Sequence, residues 1–296
     1  MKEKPFSKYQ ILANAVMIIW TLAIILPFIL LFMSSITDEN TLVANGYSFF
    51  PKKFSLASYS YIIKSGGQIL KAYGVSIGVT VVGTLLNVLL SALMAYPLSV
   101  KNLPGRNVMM FFVFFTMLFN GGIVPSYIMW TGTFHIKDTI FAQLLPNFLL
   151  SAWNVMMIRT YFTTSIPDGL YEAAEIDGAS QFTIFWKIVL PLGKPILVTM
   201  GTFAGLAYWN DWTNGLYYIV KNTGLYNVQN LLNQMVQNIQ FLTQSSNSNV
   251  TAAASTIPAT GIQMAIAFVA ILPIMLILPS FQKYYAKGIA LGAVKG

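Results

Sequence analysis

The chain has 296 residues, of which 56 % are hydrophobic and only 9 % are charged. Soluble domains carry about one charged residue in four, so this composition excludes an ordinary soluble protein and indicates a chain embedded in a lipid bilayer. The absence of cysteine excludes disulfides, thiolate metal sites and a cysteine nucleophile. The net charge of +8 comes from Lys and Arg beside apolar runs, which favours membrane-topology signals over a nucleic-acid surface.

Six apolar runs are long enough to cross a bilayer of about 30 Å as helices. The first follows Lys2, Lys4 and Lys8, as in a signal peptide. It is too long for one and no cleavage site closes it, so we expect a retained anchor. The third contains Asn120-Gly121-Gly122 and Pro125, which predict a break. The predicted spans are Ile11–Ser34, Tyr73–Val100, Val108–Tyr127, Thr139–Tyr161, Leu192–Asp211 and Ile262–Phe281.

The placement of basic residues predicts the orientation of the chain. With the N-terminus in the cytoplasm, 11 of the 17 Lys and Arg residues lie in cytoplasmic segments, as the positive-inside rule requires. Six spans then return the C-terminus to the cytoplasm. The outer segments are 37–71, 120–138 and 212–260, and the last of these contains an amphipathic helix over Val228–Ile239 whose second face is rich in amides.

The cytoplasmic segment between the fourth and fifth spans predicts a short helix, a glycine turn and a second short helix. Ser165 or Pro167-Asp168 can begin the first helix, and Gly178 can adopt the left-handed conformation that ends it. A small acidic helix on a cytoplasmic face is suited to dock into a groove on another protein. The residues alone equally allow an ordinary connecting loop with well-capped ends.

The same segment resembles a known signature. It reads Glu-Ala-Ala-Glu-Ile-Asp-Gly-Ala-Ser from Glu172 to Ser180, followed by Phe185 and Leu190-Pro191, and this resembles the EAA signature of permease subunits of bacterial ABC importers. The resemblance implies a type I importer permease, which is an all-α membrane protein with a six-span transmembrane helical bundle and a cytoplasmic coupling helix that inserts into an ATPase subunit. It further implies that Glu172 meets a basic residue of that subunit and that Gly178 forms the turn. The implied coupling residues are Glu172, Ala173, Ala174, Asp177, Gly178 and Ala179.

A wider resemblance covers most of the chain. Trp209-Asn210-Asp211, the segment 120–126 and the tail 283–296 look like carbohydrate-uptake permeases similar to the maltose importer's second permease, and are closest to the alginate-type branch that handles larger saccharides. The resemblance implies a multi-pass protein of the bacterial cytoplasmic membrane that moves an oligosaccharide or polysaccharide fragment. The implied partners are a second permease (a non-identical one is favoured), two ATPase subunits that bind ATP and Mg, and an extracellular sugar-binding protein.

One permease domain is expected over 1–296. It would comprise the first span with its outer loop (1–72), the core spans (73–282) with the coupling loop 162–191 and the outer loop 212–260, and the tail (283–296).

A path for a neutral sugar needs amide, hydroxyl and aromatic groups at membrane depth, where polar groups point into a bundle or a water-filled route. For Trp209 the alternative is the aromatic belt at the membrane surface, and for Asn87 and Asn154 it is a hydrogen bond between helices. The main candidates are Asn120, Trp153, Asn154, Tyr208, Trp209, Asn210 and Asp211, with Asn87, Tyr96 and Asn147 beside them.

No catalytic, metal or nucleotide site is predicted in the chain itself. It has no G-x-x-x-x-G-K-[ST] loop, so ATP must be bound by a partner. His135 has only Asp138 nearby, which is too few ligands for a metal, and one His without Cys leaves little from which to build an intramembrane enzyme. The main alternative function is an ion-gradient-driven secondary transporter, which usually places ionisable residues deep in its spans. The predicted spans hold almost none away from their ends.

Overall fold

A computed structural model describes residues 8–64, 66–244 and 259–293. Within these ranges the chain forms helices and loops and no strand; the only β-type pairing there is a single bridge between Thr37 and Phe54. The α-helices are α1 Lys8–Ser35, α2 Glu39–Asn45, α3 Ala57–Lys64, α4 Gly66–Ser99, α5 Arg106–Leu118, α6 Ile123–Ile128, α7 Phe141–Leu144, α8 Ala152–Ser165, α9 Asp168–Ile176, α10 Gln181–Ile184, α11 Leu190–Leu192, α12 Lys194–Trp209, α13 Thr213–Tyr218, α14 Val228–Gln244 and α15 Ala259–Ala293. A π-helical turn, Met129–Thr133, follows α6, a second, Phe185–Val189, joins α10 to α11, and a 3-10 turn, Thr223–Leu225, precedes α14.

The described residues contain three helices long and apolar enough to cross a membrane, or up to five spans if each sharply bent helix pair counts as one. The three long helices are α1, α4 and α15, which match the first, second and sixth predicted spans. The bent pairs are Arg106–Leu118 with Ile123–Thr133, at 110°, and Gln181–Leu192 with Lys194–Trp209, at 78°. They overlap the third and fifth predicted spans. The predicted all-α fold class is therefore confirmed, whereas the predicted count of six spans is not confirmed exactly.

The fourth predicted span, Thr139–Tyr161, is not one continuous helix. α7 ends at Leu144 and α8 begins only at Ala152. Pro146 lies in the gap and has no N–H for a helical hydrogen bond, and Asn147 has a left-handed backbone with φ of 67°. Apolar composition alone could not reveal this break, because the stretch on both sides of it is mostly hydrophobic.

The break in the third span falls where the glycines predict it. α5 ends at Leu118, and the Asn120 side chain accepts a hydrogen bond from the Gly122 amide at 2.8 Å. Gly122 has φ of 84°, a conformation that side chains with a Cβ rarely adopt. The chain therefore turns by 110° before α6 begins.

Contacts divide the chain into two compact units, of which the first contains Met1–Ile69 and Leu232–Pro273. In it, the Glu39 carboxylate accepts hydrogen bonds from the backbone amides of Thr260 and Gly261, both at 2.8 Å. These amides belong to the first turn of α15, whose donors have no partner within the helix. The outer segment 37–71 thus contains two short helices, and a carboxylate from α2 caps a membrane helix.

The second unit contains Leu70–Leu231 and Ile274–Gly296. Its core is a cluster of buried side chains from α4, α5, α8, α9, α10 and α12 that fixes the position of the 166–191 segment. Its members include Ala92, Ala95, Leu98, Val113, Val155, Ile158, Phe162, Ala174, Ile184, Phe185, Val189, Ile196 and Met200.

Small residues let α4 and α12 approach closely within this unit. A Cβ at Gly83 would lie 2.4 Å from Cζ of Tyr208, so the tyrosine ring occupies the space above the glycine. On α12, Gly201 and Gly205 form a G-x-x-x-G pair, and a Cβ at Gly205 would lie 3.3 Å from the Thr84 hydroxyl. Such pairs bring membrane helices together by van der Waals packing.

Candidate functional site

The predicted acidic helix between the fourth and fifth spans is α9, and its end has the predicted glycine geometry. The Gly178 amide donates to the Glu175 carbonyl at 3.0 Å and the Ala179 amide donates to the Ala174 carbonyl at 2.9 Å. Gly178 has φ of 74°. These two bonds form a Schellman motif, which satisfies the last carbonyls of the helix and stops it. Ser180 then caps α10, with its hydroxyl accepting from the Thr183 amide at 3.3 Å.

The six predicted coupling residues divide between two faces. Glu172, Ala173, Asp177 and Gly178 are exposed, whereas Ala174 is buried and Ala179 is half-buried against the same core. Ala174 packs on the chain's own helices. Ile176 presents the largest apolar surface of the helix, with 87 % of it exposed.

A cavity of about 200 Å³ lies beside α9. Three carboxylates of the helix line it: those of Asp168, Glu172 and Glu175. Its other lining residues include Ser99, at the end of α4, and Lys101, in the following loop. The cavity thus separates the acidic side of α9 from the end of a long membrane helix.

Two polar connections cross between α9 and α4. The Lys101 ammonium contacts the Asp168 carboxylate at 2.5 Å, and both side chains are mostly exposed, at 61 % and 59 %. The Tyr96 hydroxyl donates to the Gln181 side-chain oxygen at 2.5 Å, and the Gln181 amide nitrogen donates to the Glu175 carboxylate at 3.1 Å. The second connection therefore reaches α9 through the first residue of α10.

Four of the seven substrate-path candidates are buried in this structure. Tyr208 donates its hydroxyl to the Leu144 carbonyl at 2.9 Å, and Trp209 and Asp211 are buried next to it in sequence. Asn154 is buried as well. The other three candidates, Asn120, Trp153 and Asn210, are exposed.

The contacts of Asn87 and Asn154 match the alternative interpretation of these residues, which is a hydrogen bond between helices. The Asn154 amide donates to the Asn87 side-chain oxygen at 2.7 Å, and the Asn87 amide donates to the Phe148 carbonyl at 2.6 Å. These bonds join α8 to α4 and to the irregular segment before α8. They hold two helices together at a depth where an unpaired amide would be costly.

A buried polar network around Asp211 was missed by sequence reasoning. The Asp211 carboxylate accepts from the Thr213 and Asn214 amides at 3.0 and 3.2 Å and thereby caps α13. Asn227 donates to the Gln143 side chain at 3.0 Å and to the Asp211 carbonyl at 2.6 Å. Further members are Asn230, Ser76 and the Leu225 carbonyl. Buried amides must find partners, and here they join distant segments.

Asp138 fixes the loop after α13. Its carboxylate accepts from the backbone amides of Lys221 and Val220 at 2.7 Å each and of Asn222 at 3.2 Å. These bonds, led by the one from Lys221, hold the pKa of the Asp138 carboxyl below its usual value. A carboxyl with a lowered folded pKa stabilises the fold above its unfolded pKa, near 4, and that contribution is lost as the pH falls through the folded pKa.

We expect Asp138→Asn to loosen this loop at neutral pH. Asparagine tolerates the left-handed backbone of this position, where φ is 58°, but its neutral oxygen makes weaker hydrogen bonds than a carboxylate. Amide hydrogen exchange at 220–222 should become severalfold faster than in the wild type. Unchanged exchange at these three amides would show that the charge of Asp138 does not order the loop.

The fold and the 166–191 segment define an all-α membrane protein with an exposed acidic helix between two of its membrane segments. Residues 72–291 match the family described as "Binding-protein-dependent transport system inner membrane component". The chain belongs to this family.

Its relatives include a transport-system permease, and a solved ABC transporter structure superposes on it. Protein LplC of Bacillus subtilis (strain 168) is 36 % identical over 272 residues, which are 92 % of this chain and 90 % of LplC. The polygalacturonan/rhamnogalacturonan transport system permease protein YtcP of the same organism is 36 % identical over 288 residues, 97 % of this chain and 98 % of YtcP. A crystal structure of a bacterial ABC transporter involved in the import of the acidic polysaccharide alginate superposes with a TM-score of 0.79 at 26 % identity, covering 95 % of this chain and 100 % of that chain. The predicted permease class is confirmed, and the ion-gradient-driven alternative is not supported.

Proposed function

We propose that this chain is a channel-forming permease subunit of an ABC importer that moves an oligosaccharide or polysaccharide fragment. The observation that carries the proposal is α9, which presents Glu172 on an exposed surface and is ended by the Gly178 turn, in a chain of the binding-protein-dependent importer family. Glu172, Ala173, Asp177 and Gly178 form the surface that docks into an ATPase subunit. Ala174 and Ala179 support that surface from below.

The chain itself is non-catalytic in this proposal and holds no cofactor or metal. Two separate ATPase subunits bind ATP and Mg, a second, non-identical permease completes the channel, and an extracellular sugar-binding protein delivers the substrate. The chain forms one permease domain in a bacterial cytoplasmic membrane, with both termini in the cytoplasm. This orientation places 11 of the 17 Lys and Arg residues in cytoplasmic segments, and that bias supports it.

Relatives support a saccharide as the substrate class. The named substrates of similar permeases are polygalacturonan and rhamnogalacturonan for YtcP and arabinooligosaccharides for AraQ of Bacillus subtilis, which is 26 % identical over 98 % of this chain. The structural neighbour imports alginate. Asn120, Trp153 and Asn210 are exposed and available to such a substrate, while Tyr208, Trp209, Asp211 and Asn154 would meet it only in a conformation that uncovers them.

Reconstituted uptake tests the proposal. The chain, expressed with the second permease and an ATPase subunit, should co-purify with both. Proteoliposomes that contain this complex should import labelled saccharide only when ATP and the sugar-binding protein are supplied. Digests of galacturonan, alginate and arabinan serve as substrates, and an imposed proton or sodium gradient without ATP serves as the control. Uptake driven by the gradient alone, or purification without any ATPase, would contradict the proposal.

A further inference from the structure

The three acidic residues of α9 that line the cavity differ in their partners. Asp168 and Glu175 each contact a side chain described above, whereas Glu172 has no hydrogen bond or ion pair within the described part of the chain. Asp168 and Glu175 are seven residues apart, which is about two helical turns and about 10 Å. Residues with this spacing lie on one side of a helix. Glu172 lies between them and remains free for a partner.

The carboxylates of Asp168 and Glu175 both connect to the same short stretch at the end of α4. Asp168 contacts Lys101, two residues after α4 ends at Ser99. Glu175 is reached from Tyr96, three residues before that end, through Gln181. A helix held at one point can pivot, whereas a helix held at both ends moves with the element that holds it. The end of α4 and the loop after it therefore hold both the first and the last turn of α9, the last turn through Gln181.

Hydrogen-bond chemistry fixes the direction of the Tyr96–Gln181–Glu175 relay. An ionised carboxylate only accepts, so the amide nitrogen of Gln181 must face Glu175 and its oxygen must face Tyr96. The Tyr96 hydroxyl then donates. The ring of Tyr96 packs on Phe185, with centroids 5.4 Å apart, and Tyr96 is 8 % exposed. The Tyr96 end of this connection is therefore shielded from water, although Gln181 and Glu175 are exposed, whereas both members of the Lys101–Asp168 pair are open to water and screened by salt.

Extending the proposed function, we infer that Tyr96, Gln181 and Lys101 are positioning residues that make α9 and the end of α4 move together, leaving Glu172 free to bind the ATPase subunit. Displacement of Glu172 by the ATPase then shifts the end of α4, because α9 cannot rotate about a single contact. The relay, whose Tyr96 end is buried, carries more of this attachment than the exposed ion pair, which adds a minor, salt-sensitive part.

The experiment uses the complete complex in lipid nanodiscs and measures ATP hydrolysis with and without the sugar-binding protein and a mixed galacturonan, alginate and arabinan digest. Tyr96→Phe keeps the ring and removes the hydroxyl, and Gln181→Leu keeps Tyr96 and its packing. Each is expected to assemble with normal amounts of ATPase and to lower the stimulation by the binding protein about 2- to 10-fold, as loss of one net hydrogen bond allows. Tyr161→Phe is the matched control, because Tyr161 lies in the same buried cluster and has no part in the relay.

Combined variants distinguish the loss of one shared connection from a general loss of packing around α9. Tyr96→Phe with Gln181→Leu should reduce stimulation no more than either alone, since both break one connection. Lys101→Met should have a smaller effect that disappears at high salt. The inference is overturned if both single variants keep full stimulation, or if the Tyr161→Phe control loses as much. Absence of ATPase from the wild-type complex would instead refute the proposed function.

Discussion

Glu172→Lys is expected to abolish capture of the ATPase subunit while leaving the permease folded. The carboxylate is exposed at the centre of α9 and has no partner in the described part of the chain, so its replacement removes no internal contact. If it pairs with a basic residue of the ATPase, reversing its charge costs the interface about 2–5 kcal/mol. Quantitative co-purification and affinity measurements on purified subunits report this loss directly.

Charge-matched variants make the result specific. Glu172→Gln changes the net charge by one and should weaken binding less than Glu172→Lys. Asn107→Lys changes it by the same single unit at an exposed position of α5 and should leave binding intact. Normal ATPase binding by Glu172→Lys would exclude α9 as the docking element. If Asn107→Lys weakened ATPase binding as much as Glu172→Gln does, the loss would reflect only the change in net charge.

Gly83→Ala is expected to destabilise the protein more than any other single methyl addition at the α4–α12 contact. The new methyl would lie 2.4 Å from Cζ and 2.6 Å from both Cε atoms of Tyr208, so the ring must leave its place and lose its hydrogen bond to Leu144. Overpacking of this kind costs about 1–3 kcal/mol. The thermal midpoint in detergent should fall accordingly.

A second glycine of the same helix provides the control. A Cβ at Gly78 meets nothing within 4 Å, so Gly78→Ala should be neutral or stabilise the helix by up to about 1 kcal/mol. Shrinking the neighbour by Tyr208→Leu should make Gly83→Ala much less harmful than it is in the wild type. Equal midpoints for Gly83→Ala and Gly78→Ala would mean that α4 and α12 are not closely packed here.

The features predicted correctly from the sequence are mostly local ones. A long apolar run predicts a long helix, as for α1 and α15, although Pro27 lies inside α1 and Pro273 lies inside α15. The end of α9 was predictable because Gly178 supplies a conformation that its neighbours disfavour. The interruption between α7 and α8 was not predicted, because hydropathy does not register the effect of Pro146 within an apolar stretch.

The candidate site was only partly predictable for a related reason. The exposure of Glu172 and the burial of Ala174 depend on which side of α9 meets the core, and the core comes from helices far away in sequence. The network linking Gln143, Asp211 and Asn227 depends on contacts between residues 16 to 84 positions apart. Residue types at single positions do not reveal such pairings, although the wealth of amides in 212–260 was a visible signal.

The bend between α11 and α12, here called the elbow, contacts a side chain that also lines the cavity beside α9. A Cβ at Gly193 would lie 2.5 Å from the ring of Phe162, and the same Phe162 lines the cavity. Any change in the angle of the elbow must therefore push or release this ring. The environment of the Phe162 ring, and with it the volume of the cavity, therefore depends on the angle between α11 and α12. A fluorinated phenylalanine at position 162 would report this angle through its NMR chemical shift.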